Sequence, residues 1–329
     1  MNILVTGGAG YIGSHVVLSL IEAGYEVTVL DDLSLGRREN VDSRSQFIEG
    51  STLNLNDLQR CFQVPVVAVV HLAAFKAAGE SMVQPAKYST NNLNGTVNLL
   101  NATVEHGVDI FVFSSSAAVY GYPEYLPIDE NHPLSPVNYY GFTKLTIEAL
   151  LKWYHQLKGL RFAALRYFNA AGYNPQGRIT GLEHNPANLL PVVMEVAVGK
   201  RPLLKVFGDD YATPDGTGVR DYIHVSDLAT AHVQALQYLQ QKEAPLTVNL
   251  GTGGGYSVLE VVNKAREVTG ELIPYEIVDR RPGDPDTLIA SSGQAADVLG
   301  WSPRFSDLET IVKSMWQVYR PLKPALEEG

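Results

Sequence analysis

One cysteine, Cys61, occurs in 329 residues. A lone thiol cannot form an internal disulfide, so a reducing compartment, the cytoplasm, is expected. Cys61 falls in a helix-like stretch, where a small buried hydrophobe is its expected role. Positive charge is in deficit: 25 Lys and Arg against 35 Asp and Glu leave a net charge of -10. Nucleic acid is disfavoured as a partner, because a phosphate backbone needs a basic face. Any anionic ligand must be met by individual arginines. Long apolar runs are missing as well, and nothing approaches the roughly 20 residues that span a bilayer. The chain passes directly into a strand-like run, without the basic and apolar regions of an export signal. Neither a membrane partner nor a metal is expected, and the sequence has no repeat, charge block or low-complexity segment. The final Glu327-Glu-Gly329 is expected to fray.

What is present is an alternation of strand-like and helix-like segments. Apolar runs recur at Ile3–Val5, Glu26–Leu30, Gln46–Glu49, Val66–His71, Asp109–Ser114 and Arg161–Tyr167. This pattern predicts an α/β protein with a doubly wound parallel sheet, right-handed crossovers and a ligand outside the carboxyl ends of the strands. From about Ala170 the chain becomes loop-rich, for example at Glu183-His-Asn-Pro186 and Arg280-Arg-Pro-Gly-Asp284. Residues 1–169 are expected to form a Rossmann-like dinucleotide-binding domain, and 170–329 mainly a smaller C-terminal lobe. Later segments such as Thr247–Leu250 are expected to return to the main sheet.

The first strand runs into Thr6-Gly7-Gly-Ala-Gly10-Tyr11-Ile12-Gly13, and the pattern turns helical from Tyr11. Glycines at 7, 10 and 13 let backbone approach a pyrophosphate held at the helix N-terminus. The spacing differs from the commoner Gly-x-Gly-x-x-Gly, and a glycine triplet alone is weak. The second strand supplies context by ending in Asp31, 18 residues after Gly13. A carboxylate there accepts from both ribose hydroxyls and repels a 2′-phosphate, which favours NAD over NADP. An ordinary turn aspartate would look the same, and Arg37 and Arg38 could greet a phosphate.

Tyr-x-x-x-Lys places a phenol and an ammonium on one helix face. It occurs four times, at Tyr140/Lys144, Tyr154/Lys158, Tyr238/Lys242 and Tyr319/Lys323. The first pair is singled out because its helix begins near Asn138, at the sheet edge where Ser114-Ser-Ser116 leaves its strand. Tyr154 lies roughly 21 Å further along that helix, at about 1.5 Å per residue. An unperturbed tyrosine is only about 0.1% ionised at neutral pH. A Lys144 cation and a positive nicotinamide ring would both favour tyrosinate, and lowering the pKa to about 7 corresponds to roughly 4 kcal/mol. Ser116 would hydrogen-bond the same substrate oxygen, although serines at a strand end can equally serve backbone groups.

Together the glycines, Asp31, Ser116, Tyr140 and Lys144 resemble the extended short-chain dehydrogenase/reductase superfamily. More of the chain is similar to the UDP-glucose 4-epimerases, nearly end to end. The likeness runs through His71-Leu-Ala-Ala-Phe-Lys-Ala-Ala-Gly-Glu-Ser81, Asn91-Asn-Leu-Asn-Gly-Thr96, Phe113-Ser-Ser-Ser-Ala-Ala-Val-Tyr-Gly121 and Arg166-Tyr-Phe-Asn169. It continues in Asn188-Leu-Leu-Pro191, Phe207-Gly-Asp-Asp-Tyr211, Asp215-Gly-Thr-Gly-Val-Arg-Asp-Tyr-Ile-His224 and Arg281-Pro-Gly-Asp284. The resemblance implies hydride transfer from carbon 4 of a UDP-hexose to bound NAD, turning of the 4-keto sugar, and return of hydride to its other face. It implies Ser116, Tyr140 and Lys144 as catalytic groups. Cofactor contacts are implied for Gly7, Gly10, Tyr11, Ile12, Gly13, Asp31, Asp32, Ser51, Thr52, Leu72, Ala73, Ala74, Lys76, Asn91 and Phe168, besides the catalytic three. Substrate contacts are implied for Lys76, Ser116, Tyr140, Asn169, Asn188, Leu189, Phe207, Arg220, Arg281, Asp284 and Leu288, with the two arginines on the diphosphate.

Two departures from the family pattern carry consequences. Glu49-Gly-Ser51-Thr52 stands where members often have Glu-Gly-Asp, so a carboxylate for the adenine amino group is absent and looser NAD retention is expected. Leu288 stands where a tyrosine narrows the pocket in members restricted to simple hexoses, so UDP-N-acetylhexosamines are expected to enter. A sugar-nucleotide 4,6-dehydratase or decarboxylase is the nearest rival reading. Dehydration needs an acid and base commonly placed directly after the serine, where this chain has Ala117 and Ala118. A non-catalytic sensor of NAD and sugar nucleotides would ordinarily have lost Ser116, Tyr140 or Lys144. The resemblance also implies a homodimer through helices near Tyr88–Glu105 and Asn138–Lys158. Leu145, Ala149 and Leu150 suit such burial, as they would suit an internal core.

Overall fold

A computed structural model describes residues 1–183, 186–281 and 284–323. His184, Asn185, Pro282, Gly283 and the tail, whose fraying the sequence predicted, lie outside these described residues. The strands are β1 (Asn2–Thr6), β2 (Glu26–Asp31), β3 (Gln46–Glu49), β4 (Val66–His71), β5 (Ile110–Ser116), β6 (Arg161–Tyr167), β7 (Asn169–Ala171) and β8 (Leu204–Phe207). They continue with β9 (Val219–Arg220), β10 (Tyr222–His224), β11 (Leu246–Leu250), β12 (Tyr256–Ser257), β13 (Tyr275–Val278) and β14 (Thr287–Leu288). The helices are α1 (Tyr11–Glu22), α2 (Leu55–Cys61), α3 (Ala78–Val83), α4 (Pro85–Tyr88), α5 (Gly95–Glu105) and α6 (Tyr139–Lys158). Then come α7 (Leu189–Ala197), α8 (Val225–Gln241), α9 (Val258–Thr269), α10 (Gly293–Leu299) and α11 (Leu308–Tyr319).

Seven strands form one sheet in the order β11-β6-β5-β4-β1-β2-β3, every pair parallel. The doubly wound sheet expected from the sequence is therefore present. Ile3, Leu4 and Val5 are fully buried, because a parallel strand covered by helices on both faces has no wet side. One core lies between the sheet and the α1 and α8 side, and another lies under α5 and α6. Strand order reverses between β1 and β4, which opens a crevice at their carboxyl ends. β5 continues to Ser116, two residues beyond the predicted end, because Ser115 and Ser116 pair in register with Arg166 and Tyr167.

Beyond β6 the chain is richer in regular structure than its loop-like composition implied. α7, α9 and α11 pack around a third core that includes Met194, Val261, Ile311 and Met315. α9 starts with a capping box between Ser257 and Glu260 and ends at left-handed Gly270. α6 positions the site and is the longest helix. Asn138 caps it by accepting from Gly141 N, and left-handed Gly159 ends it. No described helix is long and apolar enough to cross a membrane.

Candidate active site

The Gly7 turn closes tightly on Leu72 and Ala73, just past β4. A Cβ at Gly7 would lie 2.6 Å from Ala73 N, with φ at +75°, and one at Gly13 would lie 2.0 Å from Gly7 O. Neither position has room for a side chain. Gly10 is the N-cap of α1 and has no side chain to satisfy the first-turn N–H groups, so they remain available to an anion. These groups border a cavity of about 190 Å³ whose wall includes Gly7, Gly10, Tyr11, Ile12, Gly13, Asp31 and Asp32. Ser51, Thr52, Leu72, Ala73, Ala74, Lys76, Asn91, Tyr140 and Lys144 line it as well.

Asp31 accepts from Ala9 N and Leu33 N, both at 2.9 Å. Burial raises its pKa while those two bonds pull it down. Each carboxylate oxygen still has a second lone pair for a ribose hydroxyl. Arg38 stacks on Phe47 at 4.4 Å, whereas Arg37 lines the cavity near Asp31 and donates through Nε to the Leu182 carbonyl. The cradle, the uncapped helix end and Asp31 together fit an NAD-type dinucleotide. At the Ser51 corner the nearest carboxylate is Asp57, which accepts from Ser51 N at 3.1 Å and pairs with Arg60.

The proton-handling groups converge at the carboxyl end of β5. Tyr140 is in the first turn of α6, and its backbone N–H donates to Ser81 Oγ at 3.0 Å. Lys144, one turn on, donates to Ser114 O at 2.8 Å, and its Nζ lies 5.7 Å from the Tyr140 ring centroid. Of the four Tyr-x-x-x-Lys pairs, this one reaches the cavity. Tyr154 instead bonds Asn101, and Lys323 pairs with Glu271. The low phenol pKa expected with both Lys144 and a positive nicotinamide ring concerns the site with NAD bound. Burial pushes Tyr140 up to about 12, opposed by its interaction with the Ser116 hydroxyl. Burial likewise pushes Lys144 down to about 7, with Glu148 pulling the other way. Desolvation is the largest cause of both shifts, so tyrosinate requires further positive charge in the cavity.

A second cavity of about 660 Å³ is lined by Asn169, Asn188, Leu189, Phe207, Arg220, Arg281 and Asp284, among others. The Arg281 guanidinium lies 3.8 Å from the Phe207 ring centroid, and Arg220 pairs with Asp284. Tyr167 lines the first cavity and Asn169 the second, with Phe168 between them in the chain. Phe168 is buried in a cluster with Ala117, against which Leu288 packs. Leu288 pairs with Arg220 through β14 and β9, placing it beside the second cavity. Ser116, Phe168 and Leu288 are therefore near the two cavities without being among their main wall residues.

Several wall residues escaped the sequence reading. Gly181, Leu182 and Glu183 fold back on the first cavity: Gly181 N donates to Asn40 Oδ1 at 2.9 Å, and Glu183 pairs with Lys76. Tyr167, whose hydroxyl bonds Ser114 Oγ, lies on another wall. The only available signal was Tyr167 beside Phe168 and Asn169 at a strand end. The segment around Gly181 carries no periodicity that points to the site.

A doubly wound sheet with a glycine-lined nucleotide crevice, a Tyr/Lys pair on one helix and a serine at the adjoining strand end defines an enzyme of the extended short-chain dehydrogenase/reductase class. Comparison with known proteins is more specific. The chain belongs to the NAD dependent epimerase/dehydratase family, whose model matches residues 3–251. It is 49% identical over 320 residues to a UDP-glucose 4-epimerase of Streptococcus mutans, covering 96% of each chain. Its fold matches the UDP-glucose 4-epimerase of Brucella ovis in complex with NAD, with TM-score 0.93, 44% identity and 95% and 96% coverage. The Bifidobacterium longum enzyme in complex with NAD+ and UDP gives TM-score 0.92, 38% identity and 98% and 100% coverage.

Proposed function

We infer that the protein is an NAD-dependent isomerase that interconverts UDP-galactose and UDP-glucose at carbon 4. The observation that carries this reading is the meeting of Ser116, Tyr140 and Lys144 with two adjoining cavities, one suited to a dinucleotide and one containing two arginines. When bound, NAD supplies the hydride acceptor that becomes the donor later in the same cycle. Tyr140 removes the proton from the 4-hydroxyl, and Ser116 holds that oxygen by hydrogen bonding. Lys144 contributes positive charge that favours the tyrosinate. Arg220 and Arg281 grip the diphosphate, while Asn169, Asn188, Leu189, Phe207 and Asp284 surround the remainder of the nucleotide sugar. Firm holding at the diphosphate leaves the hexose able to turn. Ala117 and Ala118 directly after Ser116 give no acid for dehydration at those positions, which disfavours the dehydratase reading.

The test is incubation with UDP-galactose and, separately, UDP-N-acetylgalactosamine, followed by chromatography. UDP-glucose is expected from the first. UDP-N-acetylglucosamine is expected from the second, because leucine at 288 leaves space beside the sugar's 2-substituent. Leu288→Tyr should depress the N-acetylhexosamine reaction selectively; equal loss on both substrates would remove that explanation. Product in neither tube, even with NAD added, would overturn the epimerase reading for these substrates.

We also propose two lobes dividing near residue 169, and a homodimer. An exposed stripe on α6 supports the latter: Phe142 is 46% exposed, Trp153 60% and Leu157 70%, with exposed Ala149 between them on the same face. Ala149 was compatible with an internal core from the sequence, but its exposure leaves a partner helix as the better use. Light scattering should give about twice the 35.9 kDa chain mass, and Trp153→Glu should halve it. A monomeric wild type would refute this assembly. Buried Cys61, with a thiol pKa pushed up to about 12 chiefly by burial, accords with our proposed cytoplasmic location.

A further inference from the structure

α6 grips the end of β5 through three successive turns. Tyr140 interacts with the Ser116 hydroxyl, Lys144 Nζ donates to Ser114 O at 2.8 Å, and Glu148 Oε1 accepts from Ser115 Oγ at 2.5 Å. Residues at i, i+4 and i+8 of one helix stripe thus each hold one serine of the strand end. Glu148 is 1% exposed, and it also accepts from Arg166 Nε at 2.9 Å and Nη2 at 2.6 Å. Arg166 is the in-register neighbour of Ser115 on β6, with Asn249 of β11 next in the same row. The row is tied off where Arg166 Nη1 donates to Tyr120 OH at 2.9 Å and Tyr120 OH donates to Asn249 Oδ1 at 2.6 Å. A buried carboxylate with three charge-assisted or hydroxyl hydrogen bonds, one turn beyond Lys144, is an expensive feature for packing alone.

We propose that Glu148 is a positioning residue for the reaction: its carboxylate holds the Ser114–Ser116 strand end against α6 and keeps a negative charge one helical turn from Lys144. It acts through Ser116, Tyr140 and Lys144 and touches no reacting atom. The inference rests on the epimerase reading above. The ionisable surroundings of Lys144 agree with it. On α6 these are Tyr140 and Glu148. From β4 comes His71, pushed down to about 3 by burial and by Lys144, hence neutral. From β6 come Tyr167, whose phenol burial raises well above its usual value, and Arg166, already engaged by Glu148. Glu148 is therefore the anion in this set, and bound NAD would add positive charge to the cavity. Burial depresses Lys144 to about 7 and Glu148 pulls it upward. Removing the anion lowers it further, so the ammonium is lost at lower pH.

The test compares wild type, Glu148→Gln, Glu148→Asp and Ser115→Ala, all loaded with NAD, in UDP-galactose epimerisation across pH. Glu148→Gln is expected to move the alkaline fall of kcat to lower pH by about one unit, with KM little changed. Glu148→Asp keeps the charge and should restore the alkaline limb while kcat stays depressed. Glu148→Gln leaves Arg166 without its counter-charge and can fail to fold. Ser115→Ala disturbs neither charge and isolates the positioning contact. It should lower kcat about tenfold, as expected for a small misplacement, with the pH profile unmoved. Wild-type kcat in folded Ser115→Ala would overturn the positioning role. An unmoved profile in folded Glu148→Gln, or the same displaced profile in Glu148→Asp, would overturn the charge role. A wild type without epimerase activity would instead overturn the reading on which the inference rests.

Discussion

Tyr140→Phe is expected to lower UDP-galactose turnover by about 1,000-fold, the middle of the range for removing a positioned acid–base group. Tyr140 is half-buried, its helix turn is fixed by Asn138 and by the bond from its own N–H to Ser81, and Phe fills the same space. Folding and nucleotide binding should therefore survive. Cofactor content after denaturation and UDP affinity by calorimetry should match wild type while kcat collapses. A variant that keeps more than a tenth of wild-type kcat would show that another group takes the proton. Because burial raises the phenol to about 12 against its Ser116 hydrogen bond, the proposed role of Tyr140 depends on positive charge brought beside it. Lys144 provides one part of that charge, and its own depressed pKa makes the supply sensitive to pH near 7.

Gly13→Ala should have the second large effect, acting on the cofactor and the fold together. Its Cβ would stand 2.0 Å from Gly7 O and 2.9 Å from Gly8 Cα, both backbone atoms of the β1–α1 turn. No rotamer relieves such a contact. The turn must open, which displaces the uncapped N–H groups of α1 and loosens α1 from the buried face of β1. The purified variant is expected to retain little NAD and to melt several degrees lower, since each 1 kcal/mol moves Tm by roughly 2–4 °C in a chain somewhat shorter than this. Absorbance of released cofactor and a thermal melt measure the two effects. Wild-type values in both would mean that the turn is more yielding than its contacts imply.

Much of the site was readable from local signals. Ile3–Val5, the glycines that follow and Asp31 form one continuous β-turn-α-β signal, because strand burial, glycine spacing and the next strand's end all lie within 31 residues. Tyr140 and Lys144 are one helical turn apart, so their shared face follows from the period of the helix. The burial that raises the Tyr140 phenol was not legible in the same way, since desolvation depends on every element packed around it. Leu288 was legible as a pocket residue only by resemblance. The structure places it on a two-residue strand beside Arg220, a pairing between residues 68 apart.

The sequence by itself determined the alternating architecture, the glycine cradle, the acidic end of β2 and the choice of Tyr140/Lys144 among four Tyr/Lys matches, because each depends on spacing within one element or between adjacent ones. Only the tertiary structure decided what Arg37 and Arg38 touch and which chain segment closes the nucleotide cavity. Gly181 meets Asn40 across 141 residues, and Glu183 meets Lys76 across 107. The row formed by Ser115, Arg166 and Asn249 likewise exists only once β5, β6 and β11 lie side by side. Such contacts follow from strand order and helix packing, and those arise from burying the whole chain's apolar surface together, with no local periodicity to announce them.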